Sequence, residues 1–242
     1  MLSIPDVYSD HKDGDKMLSG FDKLDKLTGG FKKGEISVVA GRPAMGKTTL
    51  CWSLATNMAK TKINVMMFNY CEGKHFVWVD PKDHYVASGK HLQEWNLSPR
   101  IEDFGRVLDN LRNHCVVDIL FVPQMYPANR QETAHILSMA KDYAVRANAH
   151  CVLEYGVIRA VDSRDDRRPR LDDMKCPKTV TKYAENILFP YREDYYDCHV
   201  KDQSFEVIVA KSSSGENGTA YLKMLYEHLT ITATIPKIYA WS

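Results

Sequence analysis

The sequence predicts an α/β fold: a mainly parallel, twisted sheet flanked by helices, with a C-terminal β-hairpin. Three observations predict it. Short, continuous apolar runs of the kind buried in a parallel sheet alternate with amphipathic helical patterns. A glycine-bearing turn, Gly41-Arg-Pro-Ala-Met-Gly46-Lys47-Thr48, joins the first strong strand to a helix. Two β-rich runs near the C-terminus flank the turn SSSGENG. Strands alternating with helices imply right-handed crossovers, and a terminal hairpin adds antiparallel edge strands.

Taken in order, residues 1–17 are polar and of mixed charge, and read as an arm or linker. LSGFDKLDKLTGG, residues 18–30, reads as a short helix with Leu24 and Leu27 on one face, ended by a glycine pair. Glu35 to Ala40 is a strand, the turn follows, and a helix runs from Lys47 to Lys60. Ile63 to Asn69 is a second strand. VWVDPKDHYVASG is irregular or a hairpin, and Ile101 to Asn113 is a helix with Phe104, Val107, Leu108 and Leu111 in register. Then come a strand from Asp118 to Val122, a long helix from Arg130 to Ala149, and a strand from Cys151 to Tyr155. Arg159 to Lys178 is a charged loop, and Ile187 to Tyr191 a strand. Phe205 to Ala210 and Tyr221 to Leu225 form the hairpin. No linker divides residues 18–242, so they are expected to form one domain.

Bulk properties exclude several classes. With 242 residues, 44% of them hydrophobic, the chain can bury one sizeable core. Lys and Arg total 32 against 31 Asp and Glu, so a DNA-binding surface would have to be local rather than global. None of the six cysteines has CxxC spacing, which reads as buried or incidental thiols in a reducing cytosol rather than disulfides or zinc. His84, His91 and His150 show no ligand spacing, so no metal site other than one for Mg²⁺ is expected. The N-terminus has no signal-peptide pattern, and the apolar run from Val116 to Pro123 is too short to span a bilayer. The expectation is a soluble, cytoplasmic protein without membrane contact.

The turn fits G-x-x-x-x-G-K-[ST] in full. Glycines let backbone N–H groups approach phosphate oxygens, and the following helix N-terminus adds partial positive charge. Lys47 would reach the β and γ phosphates of ATP or ADP, and Thr48 would place its hydroxyl on Mg²⁺. The nucleotide-binding set is Gly41, Arg42, Pro43, Ala44, Met45, Gly46, Lys47, Thr48 and Thr49.

The flanks narrow the class. SGFDKLDKLTGGFKKGEISVVAGRPAMGKTTL resembles the entry to the RecA-like motor domain of DnaB-type replicative helicases. NRQETAHILSMAKDYAVRANAHCVLEY, DDRRPRLDDMK, FPYREDYYD and FEVIVAKSSSGENGTAYLKMLYE are similar to later parts of that domain. The resemblance spans most of residues 18–230. It implies a homohexameric ring that moves on single-stranded DNA with ATP, each nucleotide lying between subunits. It also implies that Arg159, Arg164, Arg167, Arg168 and Arg170 face DNA, although by composition their loop reads as a solvated one, its charges nearly cancelling. Glu72 reads equally as a surface carboxylate and, by the resemblance, as the general base. Lys211 matches a lysine that points into the neighbouring site.

Three positions depart from the family. Its strand after the long crossover ends in a Mg²⁺-ordering Asp, where this chain has Pro123; Asp118 is at the wrong end. Its γ-phosphate-sensing Gln is Gly156 here, and its arginine finger is Ser213. Losing such a finger commonly costs ~10³ or more in rate. The expectation is therefore a helicase domain that binds nucleotide with weakened hydrolysis. The alternative is a non-catalytic scaffold or regulator that joins a ring or binds another helicase or replication protein. A recombinase or clock-type ATPase shares the entry motif, but the hairpin AKSSSGENGTAYL argues against it.

Overall fold

The computed structural model describes residues 16–69, 75–79, 101–122, 127–197, 199–200, 203–226 and 230–232. Glu72 and Pro123, both singled out by sequence, lie outside the described residues, as do His84 and His91.

The N-terminal elements form a small antiparallel pair around a helix. β1 (Lys16–Met17) pairs with β2 (Phe31–Lys32), so the end of the stretch read as an arm is held against the domain. Between them lies α1 (Asp22–Thr28). It starts four residues later than the pattern suggested, because Gly20 takes a positive φ and the Ser19 hydroxyl accepts from the Phe21 N–H ahead of the first turn. It ends at Gly29, whose φ of 73° is the left-handed cap that glycine adopts without strain.

The main sheet is built from β3 (Ile36–Gly41), β4 (Val65–Asn69), β5 (His75–Trp78), β6 (Ile119–Val122), β7 (His150–Gly156), β8 (Asn186–Tyr191), β9 (Ser204–Lys211), β10 (Gly218–Leu225) and β11 (Thr230–Thr232). Their order is β11-β10-β9-β8-β3-β7-β6-β4-β5. The centre, β8-β3-β7-β6-β4, is parallel. β5 closes one edge antiparallel, while β9, β10 and β11 extend the other. The expected hairpin is β9–β10; β5 and β11 are further antiparallel strands that short apolar runs did not reveal.

Helices cover both faces. α3 (Ile101–His114) and α4 (Arg130–Arg146) bury Leu111, Ala140 and Ala144 against Val38, Leu120 and Leu153. α2 (Lys47–Ala59) and α1 bury Leu24, Leu50, Leu54 and Met58 against Val39, Val152, Val207 and Leu222 on the other face. Asn129 caps α4: its side chain accepts from the Glu132 N–H at 2.9 Å, and the Glu132 carboxylate accepts from the Ala128 N–H at 2.7 Å.

The charged stretch from Arg159 is more ordered than the sequence suggested. It holds two 3₁₀ turns, Arg159–Ser163 and Leu171–Asp173, and leads into α5 (Pro177–Tyr183). The β-branched run Thr179-Val180-Thr181, a weak helix former, hides this helix in the sequence. Its start has a physical cause in Pro177 at the first helical turn, where a missing N–H costs nothing.

A buried polar chain ties these layers together. Lys32 O accepts from the His150 ring at 2.6 Å, so Nδ1 carries the proton. Nε2 then accepts from the Ser37 hydroxyl at 2.8 Å. Ser37 Oγ accepts from the Asn186 amide, and Asn186 Oδ1 accepts from the Ser213 N–H.

Candidate phosphate-binding site

β3 delivers the chain to the site. All six of its residues are buried, and it ends at Gly41, in register with Gly156 at the end of β7. The next five residues curl over the C-terminal edge of the parallel sheet, where ligands of open α/β folds bind. Ala44 and Gly46 both take positive φ, 59° and 92°. A Cβ at residue 46 would stand 2.7 Å from Phe205 Cε2, so the glycine is required by space as well as by backbone. Met45 is fully buried and anchors the turn, while Pro43 and Ala44 stay exposed at its tip.

Lys47 opens α2 and points back under the turn. Its ammonium donates to Gly41 O at 3.2 Å and Arg42 O at 3.1 Å. Burial pulls its pKa below the usual lysine value, with the Glu154 carboxylate opposing the shift. Thr48 follows, and its hydroxyl donates to Glu154 Oε2 at 3.0 Å. Thr49 lies in the same turn, its carbonyl accepting from Ser53. The sequence thus brings residues 41–49 together as one backbone cradle at a helix N-terminus. The oxygen donors beside it, Thr48 and Glu154, form the hard set that Mg²⁺ takes.

Glu154 escaped the sequence reading because it sits inside the apolar run CVLEY, where strand burial was the stronger signal. Strand alternation puts it on the same face as Val152, toward α2. Burial raises its pKa, and the Thr48 hydroxyl and Lys47 oppose the rise.

Arg42 links the phosphate loop to the charged segment. Its guanidinium grips Asp162, with Nη2 2.8 Å and Nε 3.0 Å from Oδ2. The Tyr196 hydroxyl donates to Asp162 at 2.7 Å. Desolvation pushes the Asp162 carboxyl up, but these hydrogen bonds outweigh it and hold the group below its ordinary value. Arg192 adds a contact from β8's end, donating to Ala44 O.

The five arginines read as DNA-facing sit in different surroundings. Arg164 makes a forked pair with Asp173, and Arg168 a forked pair with Glu206 while stacking on Tyr191. Arg170 reaches Asp166 at 3.3 Å, and Arg167 lies over the Tyr196 ring. Arg159 is exposed. Lys211, at the end of β9, donates to Thr181 O and Ala184 O, capping the last turn of α5 within its own subunit. The Ser213 hydroxyl donates to Thr28 O. Asp118 is at the far end of β6, bound by Lys33 and Asn64, away from the phosphate loop.

Among the described residues, Cys51, Cys115, Cys151 and Cys176 are free thiols, and no cluster of three or more His, Cys, Asp or Glu has metal-site geometry. No described helix is long and apolar enough to cross a membrane.

Known proteins match this chain in sequence and in fold. Residues 17–76 and 100–232 match the DnaB-like helicase C terminal domain family. The replicative DNA helicase DnaB of Geobacillus stearothermophilus is 26% identical over 87% of this chain and 55% of its own length. A probable plasmid replicative DNA helicase of Chlamydia psittaci is 27% identical over 85% of this chain and 52% of its own. The chain thus spans about half the length of these relatives. A DnaB-like replicative helicase, solved in a study of its interactions with primase, superposes with a TM-score of 0.70 at 22% identity, covering 93% of this chain and 64% of that one. A solved ATPase domain superposes equally well over 93% of this chain and 94% of its own. The fold is the RecA-like P-loop fold expected from the sequence.

Proposed function

Since the chain belongs to the DnaB-like helicase C-terminal domain family, we propose that it binds Mg²⁺–ATP or Mg²⁺–ADP in a helicase ring on single-stranded DNA and hydrolyses ATP slowly. The observation that carries this is the uneven state of the site: an intact cradle over residues 41–49 beside a strand that ends in Gly156.

On binding, Lys47 exchanges Gly41 O and Arg42 O for phosphate oxygens. The first N–H groups of α2 and the turn donate to the same phosphates. Thr48 would offer its hydroxyl oxygen to the divalent ion, with the Glu154 carboxylate held behind that hydroxyl, and the ion would neutralise charge on the β and γ phosphates. These are ground-state contacts, and they serve binding. Rate depends on groups that act on the transition state. Gly156 offers no side chain to sense the γ phosphate, and Ser213 no cation to stabilise a neighbour's. Loss of the finger alone is worth ~10³ or more.

Steady-state ATP turnover with and without single-stranded DNA, on wild type and Lys47→Ala, tests the reading. Expected are nucleotide binding that Lys47→Ala abolishes and turnover well below ~1 s⁻¹, the low end of ordinary enzymes. DNA-stimulated turnover of roughly 10 s⁻¹ or more would overturn the weakened-hydrolysis part and leave a working motor.

A further inference from the structure

We propose that Glu154 is the acidic positioning residue for the divalent cation of the bound nucleotide, acting through the Thr48 hydroxyl from the strand next to the phosphate-loop strand. The inference rests on the nucleotide-binding reading above.

A carboxylate on the inner face of a central strand is costly to bury unless it has a charged or hydrogen-bonding partner. Glu154 is 7% exposed, and the described residues around it give it one direct partner, the Thr48 hydroxyl at 3.0 Å. No described lysine or arginine lies within ion-pair distance of it. Lys47 is close enough to influence it but spends its hydrogen bonds on Gly41 O and Arg42 O. The result is a buried negative charge with no contacting cation, beside the hydroxyl that opens a phosphate-binding helix. That arrangement selects a positive ion carried in with the phosphates.

The hydrogen bond also sets the threonine. With its proton committed to Glu154, Thr48 Oγ1 keeps its lone pairs for an ion on the phosphate side. A carboxylate that orients a ligand from behind is the usual second layer of a metal site. β6 cannot supply it: Ile119–Val122 is wholly apolar, and the residue after it is Pro123. Glu154 on the adjacent β7 reaches the same hydroxyl from one strand over.

Binding of a fluorescent ADP analogue, titrated with Mg²⁺ and again in EDTA, tests this on wild type, Glu154→Gln, Glu154→Asp and Glu72→Gln. Glu154→Gln should keep the metal-free nucleotide affinity and lose Mg²⁺ affinity by roughly 10- to 100-fold, the usual effect of removing a second-layer partner. Glu154→Asp, which keeps the charge, should recover part of the loss. Mn²⁺ titration followed by electron paramagnetic resonance should show the same order. Unchanged Mg²⁺ dependence in Glu154→Gln, equal losses with and without metal, or loss in Glu72→Gln instead would each overturn the proposal. Wild-type protein that binds no nucleotide at all would overturn the reading beneath it.

Discussion

His150 is fully buried between a backbone carbonyl and a serine hydroxyl, and its burial keeps it neutral. Burial lowers its pKa to about 4, with the Lys32 carbonyl opposing the shift. The unfolded chain takes up this proton near 6.5, the folded one only near 4, so stability present above pH 6.5 is lost as pH falls through that window. In His150→Gln, which does not titrate, the loss is absent. The stability gap between wild type and variant, read from urea midpoints, should narrow steadily from pH 6.5 to pH 4. A gap that holds constant would mean that the ring is solvated. Gly46 gives a second residue-scale prediction. Gly46→Ala meets both a φ of 92° and Phe205, so it should cost about 1–3 kcal/mol of stability and impair nucleotide binding. A thermal melt and a nucleotide titration check both.

Between elements, a forked ion pair joins Arg168 in the charged segment to Glu206 on β9. Glu206 is buried, so Arg168→Ala strands a charge; with Arg168 itself half exposed, the cost should be on the order of 1–2 kcal/mol in urea unfolding. Replacing both by apolar residues should recover most of it. Pairs of this kind explain what could and could not be read from the sequence. The turn from Gly41 into α2 was legible in its geometry, because Gly46 and Lys47 answer local demands of backbone and charge. The parallel core was legible because burial on both faces writes continuous apolar runs. The partners of Arg42, Arg164 and Arg168 were not, since Asp162, Asp173 and Glu206 are acidic residues whose meeting depends on how segments pack. The same holds for Glu154, whose meaning appears only once β7 lies beside β3.

For the whole molecule, charge is nearly balanced and several arginines of the charged segment face internal acids, so contacts to DNA should be few per subunit. Arg159→Ala should weaken single-strand binding across sequences and lower the slope of log K against log salt by about 0.7 for each subunit in contact. Filter binding over a salt series measures it; a slope unchanged by the substitution would place the contacts elsewhere. If rings form with nucleotide between subunits, affinity must rise with protein concentration, and sedimentation with Mg²⁺–ADP should shift toward larger species. The two backbone acceptors of Lys47, Gly41 O and Arg42 O, do more than satisfy its hydrogen bonds. They pin the ammonium under the turn, so the position of this positive charge is fixed by the fold of the loop itself. The loop is thereby a latch for its own cation, and a change that moves either carbonyl moves the charge with it.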